Sequence, residues 1–289
     1  MAPSESLTQV RLDSADVLAG VALSDASGWN QTADDWQLFV QHGKALGWRT
    51  ADSQLVATAA ALGYGRLGWI SMVLVAKEWR HGGLATHLLG ACIDHLQREG
   101  ITPVLDATPA GEPVYRRLGF QSGFDIERWE GEVVALPSAR HDARIRPADA
   151  GDVDTIIALD TAASGLERRT VLGNFLQRHG TRAWMLLDDA RGAIGFVIAR
   201  RGRSALQIGP LVARTTDQAA ALLDAAFAHC NGRVFLDLPS RWTTLAGDLR
   251  DRGLRVQRPF VRMALAATLP DGIACVDDRS FVIAGPEFG

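Results

Sequence analysis

The chain has 289 residues, of which 47% are hydrophobic and 22% are charged, and its formal net charge is −3. These values are typical of a globular protein with a buried core, and they exclude global disorder. The 30 basic residues form no run that would mark a nucleic-acid footprint, so we expect no nucleic-acid partner.

The cysteines and the apolar runs indicate the compartment. Cys92, Cys230 and Cys275 are far apart and odd in number, which argues against a disulfide framework or a zinc cluster. No apolar run approaches the roughly 20 residues that a membrane helix needs. The N-terminal residues carry neither the basic nor the apolar region of a secretion signal. We therefore expect a cytoplasmic protein with reduced thiols, no membrane partner and no bound metal.

Apolar periodicity divides the first part of the chain into helices and strands. A strand is followed by two helices, three strands, a helix, a strand, a short helix and a long strand. Thr32 is expected to cap the second helix, with acidic residues in the first turn. In chain order these segments are 7–12, 14–25, 32–41, 44–50, 54–62, 67–75, 83–98, 101–107, 111–118 and 120–136.

The same order of elements then begins again after a linker-like stretch at 137–142. The second series is expected at 143–146, 149–161, 166–178, 182–188, 193–200, 204–213, 216–229, 233–238, 241–251 and 254–267. Such a repeat indicates two copies of one fold, each of ordinary domain size. We assign the first half to residues 1–138 and the second to 143–289, with an added strand in the last 20 residues.

One strand–turn–helix junction has the composition of an anion site. The apolar strand Val73–Val75 leads into Arg80-His81-Gly82-Gly83, after which Leu84-Ala85-Thr86 open a helix. The first N–H groups of a helix lack internal partners and favour a phosphate, and glycine permits close approach of the backbone. Arg80 adds a fixed positive charge. A plain junction with a solvated arginine is the alternative.

A second glycine-rich stretch, Gly63-Tyr64-Gly65-Arg66-Leu67-Gly68, has the literal pattern of a dinucleotide-binding loop. That loop must follow a strand and open a helix. Here an apolar strand follows instead, so we predict a hairpin turn. Nucleotide binding at this turn is the alternative reading.

Arg80-x-x-Gly83-x-Ala85 resembles motif A of the GNAT superfamily of N-acetyltransferases, and Tyr115-Arg116-Arg117-Leu118-Gly119-Phe120 resembles its motif B. The resemblance is close over 65–125 and extends in outline over 5–140. It implies an α/β (α+β) chain of tandem GNAT folds, each a mixed, mostly antiparallel twisted sheet flanked by helices. The family often has proline where Lys77 stands.

The resemblance also implies a function, namely transfer of an acetyl group from acetyl-CoA to a small-molecule amine by direct attack. Tyr115 takes the position of the general acid; a core tyrosine is the alternative. Asp106 is a weak candidate for the general base, with a buried or turn-capping aspartate as the alternative. Coenzyme A is expected to be held by these residues: Val73, Leu74, Val75, Arg80, His81, Gly82, Gly83, Leu84, Ala85, Thr86 and Arg116.

The acceptor is expected near Trp29 and Asn30, where the family's first helix pair borders its acceptor cleft; a capping turn beside a core tryptophan is the alternative. The corresponding positions of the second half have lost these features. Its helix after 208–215 begins without glycines and carries Asp217 in the first turn, and Leu249 stands in the position of Tyr115. We therefore interpret the second half as a degenerate repeat.

Two further expectations concern partners and alternatives. An exposed sheet edge favours a homodimer. A protein that binds acyl-CoA as a sensor or regulatory module, without catalysing a reaction, is the alternative function.

Overall fold

The computed structural model describes residues 6–134, 142–266 and 278–289. Most of the predicted linker and the first part of the predicted last strand therefore lie outside the described residues. The chain divides into two compact units, Met1–Leu105 and Asp106–Gly289. No helix in the described part of the chain is both long and apolar enough to cross a membrane.

The first unit is built on a sheet whose strands are mostly antiparallel. Its strands are β1 (Thr8–Arg11), β2 (Lys44–Arg49), β3 (Leu55–Tyr64), β4 (Leu67–Val75) and the start of β5 (Thr102–Ala107). They pair in that order, and only β4 and β5 run parallel. The helices are α1 (Val17–Ala26), α2 (Ala33–His42) and α3 (Leu84–Arg98).

Local sequence explains where these helices begin and which face they bury. The Thr32 side chain accepts a hydrogen bond from the Asp35 N–H, and the Asp35 side chain accepts one from the Thr32 N–H. This capping box confirms the predicted start of α2. Helix α3 buries Leu88, Leu89 and Cys92 at the predicted helical spacing.

The glycine-rich stretch at 63–68 is a hairpin, as predicted. Gly63 pairs with Gly68 and Tyr64 with Leu67, so the turn consists of Gly65 and Arg66. Gly65 has a φ of +69°, which a tight hairpin turn requires. Because the stretch leads into β4 and not into a helix, it lacks the geometry of a dinucleotide loop.

Strand β4 contains a β-bulge that the sequence did not predict. Its pairing with β3 shifts between Thr58 and Ala60, which face Leu74 and Ser71 respectively. The extra residue lies at Met72–Val73, where Met72 has a φ of +53°. The buried Thr58 donates its hydroxyl hydrogen to the Met72 carbonyl oxygen at 2.8 Å and so holds the bulge.

The strands of the second unit lie in the order β12-β6-β11-β10-β9-β8-β7, with β13 beside β10. Its helices are α4 (Glu112–Arg117), α5 (Val153–Ser164), α6 (Arg169–Gln177), α7 (Thr216–Phe227) and α8 (Thr243–Asp251). Its strands are β6 (Gln121–Val133), β7 (Ile145–Pro147), β8 (Arg182–Leu187), β9 (Ala193–Arg201), β10 (Leu206–Val212), β11 (Gly232–Pro239), β12 (Arg255–Ala264) and β13 (Ser280–Val282).

Strand β6 belongs to the first half of the sequence but lies between β11 and β12, which belong to the second half. An ion pair joins β6 to β11: Arg128 donates two hydrogen bonds to the Asp237 carboxylate, both at 2.8 Å. Both side chains are almost completely buried. The two sequence repeats are therefore not the two compact units, and the proposed boundary at 138–143 stays a prediction.

Removing Arg128 should be costly, because it leaves the Asp237 carboxylate buried without its cation. We expect Arg128→Met to lower the free energy of unfolding by about 3–5 kcal/mol. The control is Arg144→Ala, which breaks an exposed pair with Asp142 and should cost about 0–1 kcal/mol. Urea denaturation followed by circular dichroism measures both, and equal costs would contradict the buried pairing.

Candidate functional site

The turn after β4 presents backbone groups to solvent. A short 3-10 helix (Lys77–Trp79) leads to Arg80, His81 and Gly82. His81 and Gly83 have φ values of +68° and +79°, in the left-handed region. A positive φ is uncommon for histidine, and such residues occur often at ligand-binding turns. The turn therefore has the concave backbone that binds anions in other proteins.

Gly83 is the N-cap of α3 and supplies no side-chain cap to the helix. Residues 81–83 are exposed, and so is Thr86 in the first turn. The N–H groups of a first helical turn have no partner within the helix and carry partial positive charge. A Cβ atom on Gly83 would meet nothing within 4 Å, so the surface above the turn is open within the described first unit.

Val75 turns its backbone polar groups away from β3. Ala76 donates its N–H to the Val56 carbonyl at 2.8 Å. In an antiparallel ladder the neighbouring pair, Val75 with Ala57, then exchanges no hydrogen bonds. The Val75 carbonyl accepts a hydrogen bond from Arg80 Nε at 3.1 Å. Val73, Leu74 and Val75, predicted to hold the cofactor, thus lie between the bulge and the turn.

Tyr115 lies in α4, in the second unit, and its ring is partly buried. The ring centroid is 6.1 Å from that of Phe120. A Cβ atom on Gly111 would lie 2.8 Å from the Tyr115 ring, so a larger residue there would displace the ring. Burial raises the pKa of Tyr115 to about 12, which keeps its hydroxyl protonated at physiological pH.

Two other predicted residues have partners within the second unit. Arg116 donates hydrogen bonds to Glu112 and to the Ser122 hydroxyl, the latter at 2.7 Å. Asp106 accepts two hydrogen bonds from Arg262, at 2.8 and 2.9 Å. Burial raises the pKa of Asp106, and the ion pair with Arg262 opposes that shift. This geometry favours a structural aspartate over a general base.

The predicted acceptor residues lie in the loop between α1 and α2. Trp29 is half-buried, and its N–H donates to the Ser24 carbonyl at 2.9 Å. Asn30 is 5% exposed. The arrangement is that of a capping turn in which Trp29 offers more accessible surface than Asn30.

Two polar groups of the first unit were not among the predicted site residues. The Ser71 hydroxyl and the Gln31 side-chain carbonyl are buried, and neither has a hydrogen-bond partner among the described residues. An unmet buried polar group is costly and calls for an explanation such as a ligand or an ordered water. Ser71 is in β4 beside the bulge, and Gln31 follows Asn30. The only sequence signal was that Ser71 is the one polar side chain in an apolar strand.

Comparison with known proteins supplies the family. A model described as acetyltransferase (GNAT) family matches residues 17–120. A second, described as acetyltransferase (GNAT) domain, matches residues 156–273. The chain is a tandem GNAT protein. It is accordingly an acyltransferase, as the sequence predicted.

Similar proteins support this assignment. A Bacillus subtilis protein named as the uncharacterized N-acetyltransferase YitH is 25% identical over 245 residues, which cover 84% of this chain and 86% of its own. A putative acetyltransferase structure from Pyrococcus horikoshii has a TM-score of 0.78 at 20% identity and covers 98% of this chain and 96% of its own. A tandem GNAT protein from the clavulanic acid biosynthesis pathway has a TM-score of 0.63 at 14% identity, covering 92% of this chain and 100% of its own. At these identities the two structures show the fold alone, which is the predicted tandem GNAT fold.

In the second GNAT domain, side chains near the start of α7, the helix that corresponds to α3, accept hydrogen bonds from backbone N–H groups. Thr215 caps α7 by accepting from the Gln218 N–H, and the Gln218 side chain accepts from the Arg214 N–H at 3.0 Å. Asp217 lies in the first turn, as predicted, and Leu249 is completely buried. The Thr215 cap and Asp217 favour a start of α7 that stabilises the helix over one that binds an anion.

A glycine-to-alanine substitution, made once at the N-cap of α3 and once in its interior, tests the geometry of the turn. Gly83→Ala should lower the free energy of unfolding by about 1 kcal/mol, because alanine resists a positive φ. Gly90→Ala, inside the same helix with no atom near its Cβ position, should raise it by about 0.5–1 kcal/mol. Changes of the same sign in urea denaturation would show that the turn is not left-handed at Gly83.

Proposed function

We propose that the chain transfers an acetyl group from acetyl-CoA to an amine acceptor and that the first half supplies the cofactor site. The observation that carries this proposal is the open, uncapped turn at Gly82–Gly83. The turn follows directly on a strand that directs the Val75 backbone groups away from its ladder. An anion cradle and a free strand side are what the pyrophosphate and the amide arm of coenzyme A require.

In this proposal Arg80, with its side chain on the Val75 carbonyl, fixes the turn between strand and cradle. The N–H groups of Gly83, Leu84, Ala85 and Thr86 bind the pyrophosphate. The Val75 N–H is positioned to bind either the amide arm or the oxygen that gains charge during attack. Holding both reactants in one geometry supplies most of the rate enhancement.

The reaction forms one bond and breaks one. The neutral amine attacks the thioester carbonyl carbon, the carbon–sulfur bond breaks, and the departing thiolate takes the proton of the Tyr115 hydroxyl. Attack leaves the amine nitrogen positively charged, and this nitrogen loses a proton to water, because Asp106 is engaged by Arg262. The Tyr115 phenolate then recovers a proton from solvent.

Direct attack fits the described cysteines better than an acetyl-cysteine intermediate. Burial raises the pKa of Cys92 to about 12 and that of Cys230 to about 11. A nucleophilic cysteine needs a lowered pKa and access to substrate, and both of these thiols are buried.

Ser71, Gln31 and Trp29 are the side chains that we propose contact the acceptor.

Tyr115→Phe separates catalysis from binding. We expect acetyl-CoA affinity to be retained and kcat to fall by about 10²–10⁴-fold, the usual contribution of a positioned proton donor. Tyr64→Phe, the same change at the other tyrosine of the chain, should leave kcat unchanged. Calorimetry and release of free thiol from acetyl-CoA, with a panel of amines, measure the two quantities. An unchanged kcat in Tyr115→Phe would contradict the role of Tyr115 as the general acid. Binding of acetyl-CoA by the wild type without turnover of any amine would favour the sensor alternative.

The raised pKa of Tyr115 predicts a particular pH profile. Because its hydroxyl acts while protonated and its pKa is about 12, kcat should show no decline between about pH 8 and 10. A decline near pH 9–10 that disappears in Tyr115→Phe would mean that the hydroxyl titrates normally. Stopped-flow or initial-rate assays over this range provide the measurement.

A further inference from the structure

Strand β13 occupies a distinctive position in the second unit. Strands β10 and β11 pair in parallel only from Leu206 to Ile208. Beyond that point β10 has a bulge at Gly209–Pro210, and β13 pairs with its last residues, Leu211 with Val282 and Val212 with Ser280. The residue after β13, Ile283, donates its N–H to the Asp237 carbonyl of β11 at 3.0 Å. The chain's own segment 278–289 therefore lies where β10 and β11 separate.

Aromatic packing anchors the segment at both ends. Phe281 stacks on Trp242 with a centroid distance of 4.0 Å, and the Trp242 indole N–H donates to the Ser280 carbonyl at 2.8 Å. Phe288 meets Phe175 edge to face at 5.0 Å. Both phenylalanines of the segment are fully buried.

Two buried arginines bind the backbone of the segment. Arg200 donates to the Ala284 carbonyl at 2.8 Å and pairs with Glu287 at 3.3 Å. Arg168 donates to the Phe288 carbonyl at 3.2 Å while it pairs with Asp160. Arg168 and Arg200 are only 3% and 2% exposed, respectively. The two arginines thus hold the turn that follows β13, Arg200 through a carbonyl and a charge pair and Arg168 through a carbonyl.

The bulge of β10 is shaped for the segment. A Cβ atom on Gly209 would lie 2.3 Å from the Ile283 carbonyl oxygen, so only glycine permits this approach. Its φ of +128° is also one that other residues rarely adopt. The glycine is needed for the segment to pack, which indicates a built site and not an accidental contact.

The first unit has the same strand arrangement without the segment. Strands β4 and β5 pair in parallel only from Leu67 to Trp69, and the β4 bulge follows at Met72–Val73. Among the described residues, β4 pairs with β3 and β5 alone. Here the proposed function places the amide arm of coenzyme A along the end of β4.

We propose that residues 278–289 take in the second domain the place that coenzyme A takes in the first. The second domain is then a GNAT site filled by its own chain, and the protein carries one acyl-CoA per molecule. This inference rests on the proposed function for its account of the first domain. A ligand could enter the second domain only after the segment left, so its apparent affinity would fall with the population of that open state.

Hydrogen exchange of the full chain, read by mass spectrometry, tests the proposal. We expect the amides of 280–284 to be protected without ligand and equally protected with saturating acetyl-CoA. Free exchange of these amides without ligand, or loss of their protection when acetyl-CoA is added, would overturn it. New protection at 80–86 reports the first domain separately. Its absence would count against the proposed function, whereas protection at 280–284 without ligand is decided independently of it.

Three variants make the test specific. Phe288→Ala should speed exchange at 280–284 several-fold while protection of 80–86 by acetyl-CoA is unchanged. Val134→Ala, at an exposed position of the same unit, should change neither. In the full-length Arg80→Ala/Gly83→Asp variant, high acetyl-CoA should leave 280–284 protected and the protein unliganded. Acetyl-CoA binding by that variant together with faster exchange at 280–284 would show that the segment is displaceable and would contradict the proposal.

Discussion

The hydrogen bond from Thr58 to the Met72 carbonyl holds the β4 bulge, on which the proposed cofactor site of the first domain depends. It fixes a bulge in β4 just beyond the place where β4 stops pairing with β5. Past the bulge the strand keeps β3 on one side and presents Val75 on the other. The turn at Gly82–Gly83 then opens α3 close by in sequence. A free strand side and a free helix start are thereby produced by one short stretch of chain.

In the second domain the corresponding backbone groups of β10 and of the start of α7 are hydrogen-bonded within the chain. A bulge again follows a short parallel pairing, but β13 bonds to the freed strand and Thr215 caps the following helix. Burial of Phe281 and Phe288 adds apolar stabilisation. A backbone group that has a permanent partner is not available to a ligand, so structural stability and ligand binding exclude each other at this position.

Buried arginine pairs specify how the second unit is assembled. Arg128 with Asp237, Arg168 with Asp160, and Arg262 with Asp106 are all bidentate and nearly inaccessible. Such pairs add little net stability compared with apolar packing, but a misplaced strand would leave a buried charge unpaired. Arg128 in particular requires β6, from the first half of the sequence, to lie beside β11.

The helices and strands were predictable because apolar periodicity, the Thr32 cap and the glycines between strands are local signals. The turn after β4 was predictable for the same reason, since Arg80, Gly82 and Gly83 lie close together in the sequence. The position of β6 between β11 and β12 was not, because it depends on pairings more than a hundred residues apart, such as Glu130 with Phe235. The ion pair that engages Asp106 and the orphaned Ser71 hydroxyl are likewise products of packing, which no sequence window contains.

Calorimetric titration of acetyl-CoA into the wild type and into Arg80→Ala/Gly83→Asp tests the proposed cofactor site most directly. We expect the wild type to bind one equivalent and the double variant to bind none, because the proposed cradle lies in the first domain and the corresponding position of the second is filled by β13. Binding of two equivalents, or binding that survives in the double variant, would contradict it.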